Sequence, residues 1–214
     1  MPLLLADLDD TLIDRRGTFR CWAETFCATH GLGDEVEWLA QVDAFGYTPR
    51  LEFHAAVRER FGLPHTVEQL ATDYDRDYPG FTLAPSAESL ALLQRLRATG
   101  WRIGVVTNGR LLQTRKLEQA GLATLVDACC VSEAEGVRKP ERAIFERAAA
   151  LCGQPLAGAW MAGDNPDADI RGAHALGLST IWFRHGRDWS EPGFTPTLVV
   201  DSLEQALGHL AGLP

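Results

Sequence analysis

Five short apolar runs, each cut off abruptly by polar residues, restrict what this chain can fold into more than any other feature of it. They are residues 3–8 (Leu-Leu-Leu-Ala-Asp-Leu), 103–107, 126–131, 159–163 and 179–183. Runs this short, with little polar alternation, mark strands buried on both faces. Between most of them lie helical patterns, over 86–99, 110–120, 140–152 and 166–176, with apolar residues three and four apart, as Leu90, Leu93 and Leu96 are in the first. Alternation of strand and helix at this pitch predicts an α/β fold, an open parallel sheet with helices on both faces.

One segment interrupts the alternation. Residues 15–84 carry amphipathic helical patterns near 17–30, 34–45, 49–61 and 66–78 and no strand-like run. Phe19, Trp22, Ala23 and Phe26 fall at three and four spacing, and Phe53, Val57 and Phe61 fall four apart, so each of these helices has one face to bury. The expected organisation is therefore a core of 1–14 and 85–214 with a small helical domain, 15–84, inserted into it. Turn formers at Pro79-Gly80 and Pro85 mark the return, and the two connectors, near 14–18 and 79–85, are expected hinges.

Charge and cysteine usage narrow the function classes. Lys and Arg number 20 against 29 Asp and Glu, a formal net charge of −9, opposite in sign to what tracking a phosphate backbone requires, so no nucleic-acid partner is expected. No apolar run reaches the ~18 residues of a membrane span, and the opening Leu3-Leu4-Leu5 meets Asp7 too early for a signal-peptide core. The expectation is a cytoplasmic protein with no membrane partner. Five cysteines, odd in number and without C-x-x-C spacing, read as free thiols, and the histidines form no H-E-x-x-H. Any metal should be hard and oxygen-ligated.

In an open parallel sheet the ligand crevice lies beyond the carboxyl ends of the strands. After the first run come Asp7, Asp9, Asp10 and Thr11; after the second, Thr107, Asn108 and Gly109; Lys139-Pro140 follows the third; Gly163, Asp164, Asn165 and Asp169 follow the fourth. Carboxylates, one ammonium, and hydroxyl and amide donors suit phosphoryl transfer, whose transition state spreads negative charge and needs positioned cations and donors. Asp7 and Asp164, at neighbouring strand ends, fit Mg²⁺, which is usually fixed by one or two carboxylates and keeps several waters. An ionised, metal-bound Asp7 can attack phosphorus to give an aspartyl-phosphate. Asp9, crowded by like charges, would be held protonated to serve the leaving oxygen, then take a proton from the hydrolytic water. Lys139, Thr107 and Asn108 would bind and orient the transferring group.

The set Asp7-Leu8-Asp9-Asp10-Thr11-Leu12, Val106-Thr107-Asn108-Gly109, Arg138-Lys139-Pro140 and Gly163-Asp164-Asn165-Pro166-Asp167-Ala168-Asp169-Ile170 resembles the four ordered motifs of the haloacid dehalogenase-like (HAD) hydrolase superfamily. The resemblance spans nearly the whole chain. It implies a Rossmannoid core with a helical cap between the first two motifs, Mg²⁺ dependence, Asp7 as nucleophile, Asp9 as acid/base, and Thr107 and Lys139 as phosphoryl ligands. It also implies Asp164 as a metal ligand, Asp169 as a further or auxiliary one, and the backbone carbonyl of Asp9 on the metal. Members that cleave carbon–halogen bonds lack an aspartate two residues after the nucleophile; Asp9 favours hydrolysis of a small phosphate ester such as a sugar phosphate, phosphoglycolate or a nucleotide. A phosphomutase, a 2-haloacid dehalogenase and a non-catalytic phosphate-binding protein stand as the alternatives.

Each motif also has a bland reading: turn residues at Asp7, Asp9 and Asn108-Gly109, a solvated charge at Lys139, a helix cap at Asp164. Four of them in order at strand ends argue otherwise. Asp73, Asp75 and Asp77 imitate a calcium loop but lack its glycine and final glutamate, so they read as a solvated helix face. His54, His174 and His185 read as packing or surface residues, and Arg15, Arg16, Tyr47, Arg50 and His54 as candidates to line a substrate pocket.

Overall fold

The computed structural model describes residues 1–213, and its backbone divides them into two compact units, Met1–Asp14 with the chain from Ala84 onward, and Arg15–Leu83. The first unit holds one sheet of six parallel strands: β1 (Leu3–Ala6), β2 (Arg102–Thr107), β3 (Ala128–Val131), β4 (Trp160–Gly163), β5 (Ser179–Phe183) and β6 (Leu198–Val200). Their order is β3-β2-β1-β4-β5-β6. The order reverses direction between β1 and β4, which opens a crevice at the carboxyl ends of these two strands.

The helices of the second unit are α1 (Arg15–His30), α2 (Val36–Asp43), α3 (Arg50–Phe61) and α4 (Val67–Asp77). Those of the first are α5 (Ala87–Ala98), α6 (Leu112–Gln119), α7 (Ser132–Glu135), α8 (Arg142–Leu151), α9 (Gly172–His174) and α10 (Leu203–Ala211). No helix among the described residues is long and apolar enough to cross a membrane.

Strand alternation sorts the core into two layers. Leu4 and Ala6 point to the face covered by Leu93 and Leu96 of α5 and by Ala206, Leu207 and Leu210 of α10. Leu3 and Leu5 point to the other, against Ile144, Phe145 and Ala148 of α8. Both faces being covered explains why β1 is apolar at all four positions, each of them buried. β2 comes so close to α8 that a Cβ on Gly104 would lie 2.8 Å from Cys152 Sγ.

In Arg15–Leu83, Phe19, Trp22, Phe53, Tyr74 and Tyr78 form an aromatic core, with the Trp22 and Tyr74 rings 4.8 Å apart. At the start of α4, Thr66 Oγ1 accepts from Gln69 N while Gln69 Oε1 accepts from Thr66 N, satisfying two otherwise orphaned donors. Asp43, 1% exposed, accepts from Arg15 Nη2 and Arg50 Nη2, both at 2.6 Å.

Several elements differ from the sequence expectations. β1 stops at Ala6 rather than Leu8, because the chain folds into a tight loop in which Leu12 N and Ile13 N both donate to Leu8 O. The helix expected over 166–176 is a π-helical stretch, Pro166–Arg171, followed by the short α9. Asn165 O there accepts from both Asp169 N and Ile170 N, which widens the turn. β6 and α10 were not expected; a three-residue strand leaves no periodicity to read. All five cysteines are free thiols.

Candidate active site

Four strand ends and loops of the first unit converge. Asp7 follows β1 and still hydrogen-bonds through its backbone N to Ala162 O of β4, at 2.9 Å, which ties the two strand ends together. Carboxylate oxygens of Asp7, Asp164 and Asp169 lie within 4.8 Å of one another. Lys139, 3% exposed, inserts its ammonium between two of them, with Nζ 2.6 Å from Asp7 Oδ1 and 2.7 Å from Asp169 Oδ1.

Local sequence dictates these positions. Asn165 Oδ1 caps the π-helical stretch by accepting from Asp167 N and Ala168 N, and Asp169 Oδ2 reaches back to accept from Asn165 N at 3.0 Å. That return path runs directly over Gly163, where a Cβ would lie 2.3 Å from the Asp169 carboxyl carbon. Gly172 makes a similar allowance for Pro140, whose Cβ would be 2.8 Å away. The Lys139-Pro140 peptide is cis.

Charge in this cluster is unbalanced. Burial, moderated by Lys139 and reinforced by Asp169, pushes the Asp7 carboxyl up to about 7. Burial, then the neighbouring carboxylates of Asp169, Asp7 and Asp10, pushes Asp164 up to about 8 against the opposing pull of Arg187. Burial disfavours the charged Lys139, but Asp169 and Asp7 together outweigh it and raise its pKa. Three closely set oxygen donors with one shared ammonium are a hard-cation site by donor chemistry, and a dication would relieve the repulsion that raises Asp7 and Asp164. The residues present therefore fit Mg²⁺, with Asp7, Asp164 and Asp169 to hold it.

Asp9 sits differently from the expectation. Its carboxylate adds to the like-charge crowding of Asp7, but it is itself paired with the ammonium of Lys116 and accepts from Gln113 Nε2 at 3.0 Å. Its side chain is outside the three-carboxylate cluster, and only its backbone remains for the role expected at the metal. Asn108 also departs from expectation. Its side-chain amide donates one hydrogen to the Lys139 carbonyl at 2.9 Å and accepts from the Lys139 N–H at 2.8 Å, so it also holds the lysine loop. Thr107 Oγ1, at the end of β2, accepts from Gln113 Nε2 at 2.7 Å.

Sequence reasoning missed Gln113, Lys116 and Arg187. The first two are buried on α6 at positions that continue the stripe of Leu117 and Ala120, and polar residues on an inward stripe were the available signal. Arg187 Nη2 donates to the Asp164 carbonyl at 2.7 Å and approaches its carboxylate at 3.3 Å, and nothing in its loop sequence marks it.

The remaining candidates have local tasks. Arg15 and Arg50 bind Asp43, His54 is buried against Phe53 and Tyr74, and Arg16 lies over Phe45. Tyr47 is exposed. His174 stacks on Phe194, while His185 Nε2 meets the Asp10 carbonyl at 2.7 Å. Arg76 pairs with Asp73 and Asp77 on a solvent-facing side of α4.

Comparison with known proteins gives this arrangement relatives. A family model described as haloacid dehalogenase-like hydrolase matches residues 1–177. The chain is 30% identical to the phosphoserine phosphatase of Thermus thermophilus, covering 96% of this chain and 97% of that one. It is 28% identical to the glyceraldehyde 3-phosphate phosphatase of Pyrococcus abyssi, over 87% and 83% respectively. Among solved structures, the HAD-hydrolase YfnB of Bacillus subtilis, bound to magnesium, shares the fold with a TM-score of 0.79 at 23% identity, covering 99% of each chain.

Proposed function

The chain belongs to the haloacid dehalogenase-like hydrolase family, and on that footing we propose that it is a Mg²⁺-dependent phosphomonoester hydrolase acting on a small phosphorylated metabolite through an aspartyl-phosphate on Asp7. The observation that carries this reading is the convergence of Asp7, Asp164 and Asp169 on one point with Lys139 between them. Phosphatase relatives over nearly the full chain support it.

Asp7, Asp164 and Asp169 would hold the metal, which when bound supplies positive charge to screen the phosphoryl oxygens from the carboxylates. Lys139 Nζ, fixed 2.6 Å from Asp7 Oδ1, offers a second positive charge to the transferring group, and the Thr107 hydroxyl a hydrogen-bond donor. An Asp7 carboxylate oxygen attacks phosphorus, and the ester P–O bond breaks with its electron pair going to the leaving oxygen. Asp9, paired as a carboxylate with Lys116 at rest, must take up a proton from solvent before this step, and its carboxyl then gives that proton to the leaving oxygen. In the second half, Asp9 takes a proton from water as the water oxygen attacks the same phosphorus, which releases inorganic phosphate and restores Asp7.

The test is hydrolysis of p-nitrophenyl phosphate with Mg²⁺ and with EDTA. Activity should depend on the metal, and Asp7→Asn should lose it by ~10³-fold or more, the scale at which covalent nucleophiles act. Full activity in Asp7→Asn would overturn the covalent role, and metal-independent chloride release from a 2-haloacid would replace the reading with a dehalogenase. A panel of sugar phosphates, phosphoserine, phosphoglycolate and nucleoside monophosphates would then identify the ester.

A further inference from the structure

We infer that Gln113 and Lys116 of α6 are positioning residues that together set the orientation of the Asp9 carboxyl and the donor direction of the Thr107 hydroxyl. This rests on the phosphatase reading above. Gln113 and Lys116 are 3% and 1% exposed, a turn apart on one helix face. Gln113 Nε2 has two hydrogens and two acceptors, Thr107 Oγ1 at 2.7 Å and Asp9 Oδ2 at 3.0 Å. Its Oε1 accepts from Lys116 Nζ at 2.8 Å, and the same ammonium meets Asp9 Oδ1.

The arrangement has one self-consistent orientation. Flipping the Gln113 amide would set an NH₂ against the ammonium and a carbonyl oxygen against the Asp9 carboxylate, two repulsions where there are now two attractions. Lys116 therefore locks the amide, and the amide locks Asp9 and Thr107. Because Thr107 Oγ1 is already accepting from Gln113, its own hydrogen is left to donate elsewhere, which a phosphoryl oxygen requires. A fully buried ammonium is costly without a counter-charge, so a lysine placed here only to fill space would be a poor choice.

Both residues act through Asp9 and Thr107, so the expected signature is selective. Benzyl phosphate expels an alkoxide that must be protonated as it leaves, whereas p-nitrophenolate leaves without help. The quantity kcat/KM reports the steps through departure of the leaving group. Gln113→Met, close to volume-conserving and without a change of charge beside Asp9, should lower kcat/KM for benzyl phosphate at least ~10-fold more than for p-nitrophenyl phosphate, a fraction of the 10²–10⁴ that general acid catalysis supplies. Measured on one preparation with Mg²⁺ present, that ratio is independent of how much of the variant has folded. An equal fall for both esters, or no change in the ratio, overturns the inference while leaving the phosphatase reading intact. A wild-type enzyme inert toward both esters overturns that reading and this inference with it.

Discussion

Gly163 shows how a residue without a side chain can decide the chemistry of its neighbours. A methyl group at this position would sit 2.3 Å from the Asp169 carboxyl carbon and Oδ2 and 2.5 Å from its Cβ, and Asp169 is fully buried with nowhere to retreat. Gly163→Ala is expected to destabilise the protein by about 1–3 kcal/mol through overpacking, and to dislodge one of three oxygens from the carboxylate cluster. Thermal melts with and without Mg²⁺ check both parts: the melting temperature should fall, and the increment that Mg²⁺ adds to the wild type should shrink or vanish. At this scale the sequence was legible wherever chemically matched residues recur in order. Asp7, Lys139, Asp164 and Asp169 could be singled out because carboxylates and an ammonium recur in order at the ends of successive strands, where each taken singly would read as a turn or cap residue. Asn108 could be singled out but not interpreted, since an amide serves equally as donor to a ligand or as a clamp on a neighbouring loop, and only coordinates reveal the Lys139 backbone opposite it.

Elements meet through a few polar contacts as well as through apolar layers, and α5 and α10 provide the clearest case. Glu204, in the first turn of α10, accepts from Ser86 Oγ at 2.5 Å and Ser89 Oγ at 2.7 Å at the start of α5. The Ser86 and Ser89 hydroxyls, followed by the backbone at the helix start, hold the Glu204 carboxyl down to about 2. A depressed carboxyl pKa stabilises the folded state above its ordinary value, near 4.5, and that stability is lost as pH falls toward about 2. Glu204→Gln should therefore cost ~1.5 kcal/mol at neutral pH, the scale of a hydrogen bond to a charged group. The gap between variant and wild type should close as the pH falls from 4.5 to 2; urea titrations at several pH values read it directly. None of this was read from the sequence, although Leu203, Ala206, Leu207 and Leu210 fall at three and four spacing behind the Ser202 cap of α10. The strands of the sheet other than β6 announced themselves by short, mainly apolar runs, and most of the helices that cover them by their spacing. β6 exposes Val199 and spans three residues, too few to establish either period. The stretch after β4 failed for another reason: its periodicity is helical, but the capping amide of Asn165 and the returning carboxylate of Asp169 pull the backbone into a wider turn.

For the whole molecule, the buried carboxylates link folding to protons and, in the proposed function, to the metal. Asp7 and Asp164 have carboxyl groups raised from about 3.8 to about 7 and about 8, each chiefly by burial. A raised carboxyl pKa means the native state binds protons that the unfolded chain has released, so these two groups make the metal-free protein less stable as pH rises from about 4 toward 8. Both must be ionised to hold a cation, so protons and Mg²⁺ compete for the same oxygens. Stabilisation by a ligand that binds only the native state grows with the ratio of its concentration to its dissociation constant. Millimolar Mg²⁺ should accordingly raise the melting temperature more at pH 8 than at pH 5, with the increment largest where the metal-free protein is weakest. Asp164→Asn removes both the ligand and the repulsion it feels. Its metal-free form should melt at or above the wild type at pH 8, with the Mg²⁺ increment abolished. Differential scanning fluorimetry across pH, with Mg²⁺ or EDTA, reads all of these. A wild-type increment that is independent of pH would mean that the cation binds somewhere other than this cluster, because no site built from these carboxylates can be indifferent to the protons they carry.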